Sequence, residues 1–166
     1  MTPSDGQSSS SEDRRIVRIH LDQPDAPRLT PEAEHERSIA IYDLIEDNSF
    51  ALPEQHGPYH LVMRSDARHI HFDIRNIEDV PLAGFFLAMG PLRRIIRDYK
   101  LVCDSYYEAI RTKTPSQIQA IDMGRRALHN EGSSLLQERL DGKVEMDNNT
   151  SRRLFSLICV LKMRGL

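Results

Sequence analysis

The first regular pattern of the chain is Arg15-Ile16-Val17-Arg18-Ile19-His20-Leu21, where apolar and polar positions alternate. A period of two predicts a half-buried strand. It sets Val17, Ile19 and Leu21 toward one face and Ile16, Arg18 and His20 toward the other. Gln23-Pro24-Asp25-Ala26-Pro27 breaks the strand, and Thr30-Pro31-Glu32 then has the form of a helix start: a capping hydroxyl, proline in the first turn and an acid against the dipole. Ser38, Ile41, Leu44 and Ile45 give that helix its apolar face, with Asn48 near its end. Beyond Pro53, Gly57 and Pro58, two strands are expected at Tyr59 to Arg64 and His69 to Arg75, joined as a hairpin through Ser65-Asp66-Ala67-Arg68. In the second of them Ile70, Phe72 and Ile74 point inward, and His69, His71, Asp73 and Arg75 outward. The continuous run Phe85-Phe86-Leu87-Ala88-Met89 predicts a more deeply buried strand.

From Gly90-Pro91 onward the period changes to that of helices. Leu92, Ile95, Ile96, Tyr99, Val102, Cys103, Tyr106 and Ile110 fall on one stripe at about 100° per residue. Thr114-Pro115-Ser116-Gln117 is a capping box that opens a second helix, running to about Leu140 with a bend expected near Gly132. Asp147-Asn148-Asn149 caps a third, from Thr150 to about Arg164, which is apolar almost all round. A helix of that kind lies either at the centre of the core or in an oligomer contact, and the core is the preferred place. The expected fold is α+β: a small antiparallel sheet of about four strands packed with four helices, three of them consecutive at the C-terminus. Residues 1–14 read as a disordered Ser-rich tail, and residues 15–166 as a single α+β domain.

Composition changes this picture little. The 166 residues are 39% hydrophobic and 28% charged, the balance of a globular chain. A net charge of −3 argues against a broad nucleic-acid footprint. The two cysteines, Cys103 and Cys159, sit in apolar helical patterns and make no disulfide framework. The first residues have no apolar signal core, and Leu154 to Leu161 is too short to span a bilayer, so the expected location is the cytoplasm, away from membranes.

Several stretches come in an order that marks a group. Glu34-His35-Glu36-Arg37, Ile41-Tyr42-Asp43-Leu44, Gly57-Pro58-Tyr59 and Phe72-Asp73-Ile74-Arg75 are followed by Arg93-Arg94-Ile95-Ile96-Arg97-Asp98-Tyr99 and Ser105-Tyr106-Tyr107-Glu108-Ala109-Ile110. Ile121-Asp122-Met123-Gly124-Arg125-Arg126, His129-Asn130-Glu131-Gly132 and Arg152-Arg153-Leu154-Phe155 complete the series. Over roughly residues 15–165 the chain resembles the uncharacterised protein family UPF0262 of alphaproteobacteria. The resemblance implies no activity, mechanism or cofactor.

Candidate chemistry therefore rests on polar residues set where a helix wants apolar ones. No Gly-rich phosphate loop, dinucleotide fingerprint, zinc-spaced Cys/His set or serine elbow is present. If Ile118, Ile121, Leu128 and Leu135 form the buried face of the helix after Thr114, Arg125 projects within that face, and Asp122 and His129 lie along its edge. An arginine there needs a partner, since an unpaired buried charge costs several kcal/mol. Asp122 is the local partner, and Glu34, which intrudes on the first helix's apolar face, is a second. With Asn130 and Glu131 nearby, these residues suggest a pocket in which Arg125 grips a carboxylate or phosphate and His129 acts as donor or acid/base. A structural ion-pair network locking helices together is the competing account.

Three other groupings of polar residues carry less. Arg93, Arg97 and Lys100 form a basic stripe, but Asp98, Asp104 and Glu108 interleave and give it the character of a solvated face. His69, His71 and Asp73, with His60 or His20 from neighbouring strands, lie on the wet face of a sheet, and no metal is assigned to them. Tyr99, Tyr106, Tyr107 and Tyr42 read as boundary residues with a wet hydroxyl. The function expected is a non-catalytic binding or regulatory module for a protein partner or an anionic small molecule. The alternatives are a small hydrolase or transferase acting on a phosphorylated substrate, with His129 as acid/base and Arg125 as anion clamp, and a homodimeric interaction protein using the last helix. No cofactor is implied.

Overall fold

The structure is a computed structural model, and it describes residues 11–22 and 31–162. Ser11–Arg14, counted above with the tail, is a 3-10 turn, tied down by an Arg14–Glu145 ion pair at 3.0 Å and by the Asp13 carbonyl, which accepts from Gly57 N–H. The elements that follow are β1 (Ile16–Asp22), α1 (Pro31–Glu46), β2 (Phe50–Ala51), β3 (Tyr59–Ser65), β4 (His69–Arg75), β5 (Pro81–Ala88), α2 (Gly90–Thr112), α3 (Pro115–Arg139), β6 (Glu145–Met146) and α4 (Asn148–Lys162). The fold is α+β, with three consecutive C-terminal helices and a four-stranded, mostly antiparallel sheet. The expected caps at Thr30 and the break at Gln23 to Pro27 lie outside the described residues.

The sheet runs in the order β1-β3-β4-β5. β3 and β4 pair as the expected hairpin, Leu61 opposite Ile74 and Met63 opposite Phe72, so that alternate residues of both strands enter the core. β1 joins β3 in parallel, the one parallel pairing in the otherwise antiparallel four-stranded sheet. A parallel neighbour needs a long crossover, and α1 lies in that connection. A bulge between Ile16 and Arg18 also overturns the simple alternation in β1. Ile16 is buried opposite Tyr59, Val17 is 38% exposed, and Leu21 returns to the core opposite Met63. Ile16 and Leu21 are an odd number of residues apart, so only an extra residue between them lets both face inward.

β5 departs from expectation in the same way. It is an edge strand, and Phe86 is 58% exposed; only Leu87 of the strand is buried. Its apolar run reflects a strand with one partner and one open edge rather than deep burial. β2 and β6 form a small separate antiparallel pair that periodicity did not suggest.

The inward residues of the sheet join Leu44 of α1, Leu92, Ile95 and Ile96 of α2, Leu136 of α3 and most of α4 in one apolar cluster. Leu154, Phe155, Leu157 and Ile158 are fully buried, which places α4 at the centre of the core. Those side chains are occupied within this chain, so among the described residues the apolar character of the helix is met by the core. α3 reaches α4 through small residues: Gly132 meets the Phe155 ring, and Ser151 Oγ donates to the Ser133 carbonyl at 2.8 Å. Among the described residues no helix is long and apolar enough to cross a membrane.

Candidate functional site

α3 starts as the capping box predicts, Thr114 Oγ1 accepting from Gln117 N–H while the Gln117 side chain accepts from Thr114 N–H. Its buried stripe is not the expected one. His129, Gly132, Ser133 and Leu136 are buried, whereas Ile118, Ile121, Leu128 and Leu135 are only half-buried. The helix is turned because its close approach to α4 needs small residues on the inner face, and size outweighs hydropathy there. Continued toward the N-terminus, the same stripe carries Arg125 and Asp122. Arg125 does project from the inner face, at a point where the interior opens.

That opening is a cleft of about 370 Å³ lined by Tyr99 from α2, Arg125, Arg126 and His129 from α3, and Arg152, Arg153 and Ser156 from α4. Asp122 holds two of the arginines: its Oδ1 accepts from Arg125 Nη2 at 2.6 Å and Nε at 3.0 Å, and its Oδ2 lies 2.9 Å from Arg126 Nε. The hydrogen bond from Arg125 holds the Asp122 carboxyl below the usual carboxylate range. Arg125 also lies over the Tyr106 ring at 5.1 Å, which stiffens its fork further. Arg152 donates through Nη1 to Asn130 Oδ1, and Arg153 Nη1 donates to the Asp47 carbonyl at 2.9 Å. Four guanidiniums thus border one cleft whose described lining includes no carboxylate.

His129 forms the cleft's inner wall and is 8% exposed. Its Nε2 is 2.8 Å from Ser156 Oγ, which itself donates to the Arg152 carbonyl at 3.2 Å. With the hydroxyl proton directed to that carbonyl, Nε2 is the donor and Nδ1 carries the lone pair. Nδ1 is buried without a hydrogen-bond partner. The rings of Phe155 and Tyr99 pack edge-on at 5.1 and 5.4 Å. Burial first, then the charges of Arg152 and Arg125, pushes the imidazole down to about 4, so it is neutral at pH 7. Burial likewise pushes the Tyr99 hydroxyl up.

The candidates named from sequence divide cleanly. Asp122, Arg125, His129 and, through Arg152, Asn130 are brought together. Glu34 is exposed in the first turn of α1, where its carbonyl accepts from Ser38 Oγ, and of the two partners expected for Arg125 it is Asp122 that pairs with it. Glu131 is exposed and does not line the cleft. The basic stripe stays outside it too: Arg93 donates to the Ala67 carbonyl at 3.1 Å, Arg97 is exposed, and Lys100 borders a neighbouring groove with Glu36, Asp43 and Cys103. Arg126, Arg152, Arg153 and Ser156 were not singled out as site residues. The signal for two of them was the Arg152-Arg153 pair, interrupting a helix otherwise apolar nearly all round.

Elsewhere, Asp66, His69 and His71 bring possible ligand atoms within 4.8 Å of one another. Asp73 is not part of that group and pairs with Arg75 at 2.7 Å, and His60 pairs with Asp79 at 2.9 Å.

Comparison with known proteins agrees with the motif order. The model of the Uncharacterised protein family (UPF0262) matches residues 13–164, and the chain belongs to that family. It is 52% identical over 150 residues to a UPF0262 protein of Rhodospirillum rubrum, covering 90% of this chain and 93% of the relative. A UPF0262 protein of Ruegeria pomeroyi is 50% identical, with 91% and 98% covered, and one of Nitrobacter winogradskyi is 51% identical, with 99% and 96% covered. No solved structure matches the chain.

Proposed function

We propose that residues 15–166 act as one cytoplasmic α+β domain, a non-catalytic binding or regulatory module that takes an anionic small molecule in the cleft between α2, α3 and α4. The observation that carries this reading is four guanidiniums bordering about 370 Å³ with no carboxylate in the described lining. Such a cleft has the size of a small-ligand site. Asp122 and Asn130 orient three of the forks without entering the cleft's lining. Arginine forks match the paired oxygens of carboxylate and phosphate, and a neutral His129 adds no charge that the ligand must offset. The two cysteines are free, as a reducing compartment requires.

One observation favours the hydrolase or transferase reading. Ser156 Oγ and His129 Nε2, 2.8 Å apart, have the spacing of a nucleophile and its base. The arrangement lacks a third group on Nδ1 to orient the imidazole, and the serine proton is engaged by the Arg152 carbonyl. Binding is therefore the preferred reading.

The test is calorimetry and thermal shift on the full chain with inorganic phosphate, pyrophosphate and citrate, against chloride at equal ionic strength. A saturating anion at about a hundred times its Kd contributes about 2.7 kcal/mol. Arg125→Ala and Arg152→Ala are each expected to weaken binding tenfold or more, a charge-assisted hydrogen bond being worth roughly 1.5–3 kcal/mol. Ser156→Ala should leave it within a few-fold. An effect that chloride reproduces, or that both arginine variants retain, overturns the proposal. Turnover of a phosphate ester that disappears in Ser156→Ala would establish the catalytic alternative in its place.

A further inference from the structure

The hairpin between β3 and β4 carries a second constellation, remote in composition from the arginine cleft. Asp66 occupies the turn, and its Oδ1 accepts the backbone N–H groups of Arg68 and His69, both at 2.8 Å. Those two bonds fix the carboxylate plane, as an Asx turn does, and direct Oδ2 to the outer face of the sheet. His69 and His71 stand two residues apart on that face, their ring centroids 5.9 Å apart. His71 Nε2 lies 2.8 Å from Asp66 Oδ2, and His69 Nδ1 lies 3.7 Å from Asp66 Oδ1. Around a tetrahedral Zn²⁺ with N and O ligands at about 2.0–2.2 Å, ligand atoms are roughly 3.3 Å from one another. His71 Nε2 and Asp66 Oδ2 are already closer than that value, and all three donors lie within 4.8 Å of one another, so side-chain rotation, chiefly of His69, brings them to one centre.

The support for these donors is independent of the donors themselves. Phe86, opposite His71 on β5, packs its ring edge-on to His69 at 4.9 Å and restricts both imidazoles. Lys162 of α4 donates to the Asp66 carbonyl, and Arg93 of α2 to the Ala67 carbonyl, so two helices hold the turn in place. We propose that Asp66, His69 and His71 bind one borderline transition-metal dication of the Zn²⁺ class, with the remaining coordination positions open to solvent. Two imidazoles and one carboxylate select Zn²⁺, Co²⁺, Ni²⁺ or Cu²⁺ over the oxygen-seeking Mg²⁺ and Ca²⁺. The positive charges of Lys162 and Arg93 oppose any dication, which favours the ions that gain most from imidazole nitrogen. Because the site lies on an exposed hairpin and the core closes without it, the metal is an exchangeable ligand rather than a folding requirement.

The experiment uses the full chain without a histidine tag, stripped with chelator and titrated with Zn²⁺ by calorimetry and with Co²⁺ by visible absorption. One equivalent per chain is expected, with the Co²⁺ bands displaced by Zn²⁺ and untouched by excess Mg²⁺. His71→Gln and His69→Gln, both at outward positions, should each weaken binding at least tenfold, while His20→Gln on β1 leaves it unchanged; circular dichroism confirms that each variant folds. Failure to saturate near one equivalent, equal loss in His20→Gln, retained affinity in both hairpin variants, or displacement by Mg²⁺ would each overturn the proposal.

Discussion

Gly132 of α3 and Phe155 of α4 meet backbone against ring: a Cβ built on Gly132 would lie 2.2 Å from Phe155 Cζ. The absent side chain lets the two helices close on each other and seats the phenyl ring against His129, one turn earlier on α3. The wall of the arginine cleft therefore depends on a residue that is not itself in the cleft.

Gly132→Ala separates packing from propensity. Alanine in a helix interior gains about 1 kcal/mol over glycine. Overpacking a close-fitting core typically costs about 1–3 kcal/mol, and the Phe155 ring is fully buried with no free side to retreat to. At the upper end of that cost the net loss is about 2 kcal/mol, read as a melting temperature lower by roughly 4–8 °C. A higher melting temperature would mean that the ring is freer than the packing implies.

Asn48 is expected to matter more than a residue just past a helix end usually does. Its Oδ1 accepts from Ile16 N–H at 2.8 Å, and its Nδ2 donates to the Ile16 and Leu44 carbonyls at 2.9 and 2.8 Å. One side chain thus closes the edge of β1 at its bulge and the last turn of α1. Asn48→Ala leaves three backbone groups without their partner, at about 1–3 kcal/mol for each that water cannot reach. Urea unfolding should show a loss of at least about 2 kcal/mol. Asn48→Asp, which keeps the acceptor but sets a carboxylate oxygen against the Ile16 and Leu44 carbonyls, should lose at least as much at pH 7.

Legibility from sequence followed the range of the signal. The hairpin, the α3 capping box and the four helices were readable because each is specified by residues a few positions apart. The β1 bulge was not: Val17 and Ile16 are equally apolar, and only the pairing with Tyr59 and His60 decides which one turns inward. The inner face of α3 was misjudged because hydropathy does not register Gly132 and Ser133 as packing residues. Arg125 was found by its intrusion on an apolar helix face, but the cleft also needs Arg152 and Arg153, brought to it by tertiary packing from the next helix. Asp66 was read only as a turn residue, since its carboxylate reaches His71 only after the hairpin has formed.

His129 makes the last prediction, because its protonation couples the cleft to stability. The ordinary imidazole value is 6.5, and burial with the nearby arginine charges brings it to about 4 in the folded chain. Between these values the unfolded chain binds a proton that the folded chain does not, so stability decreases as pH falls through that window and is fully present above it. Between pH 7.5 and pH 5 the single-group contribution is about 2 kcal/mol at about 1.36 kcal/mol per pKa unit. Asp122, whose carboxyl is lowered by its arginines, adds a loss of the same sign only in the more acidic carboxylate range. Urea unfolding at the two pH values should therefore show a steeper loss for the wild type than for His129→Gln, by about that amount. Saturating phosphate should reduce the difference, because an anion among the four guanidiniums stabilises the imidazolium and raises its pKa toward the unfolded value. Equal slopes for wild type and variant without phosphate would show that His129 is not held neutral by its surroundings, and a slope indifferent to phosphate would separate it from the anion site.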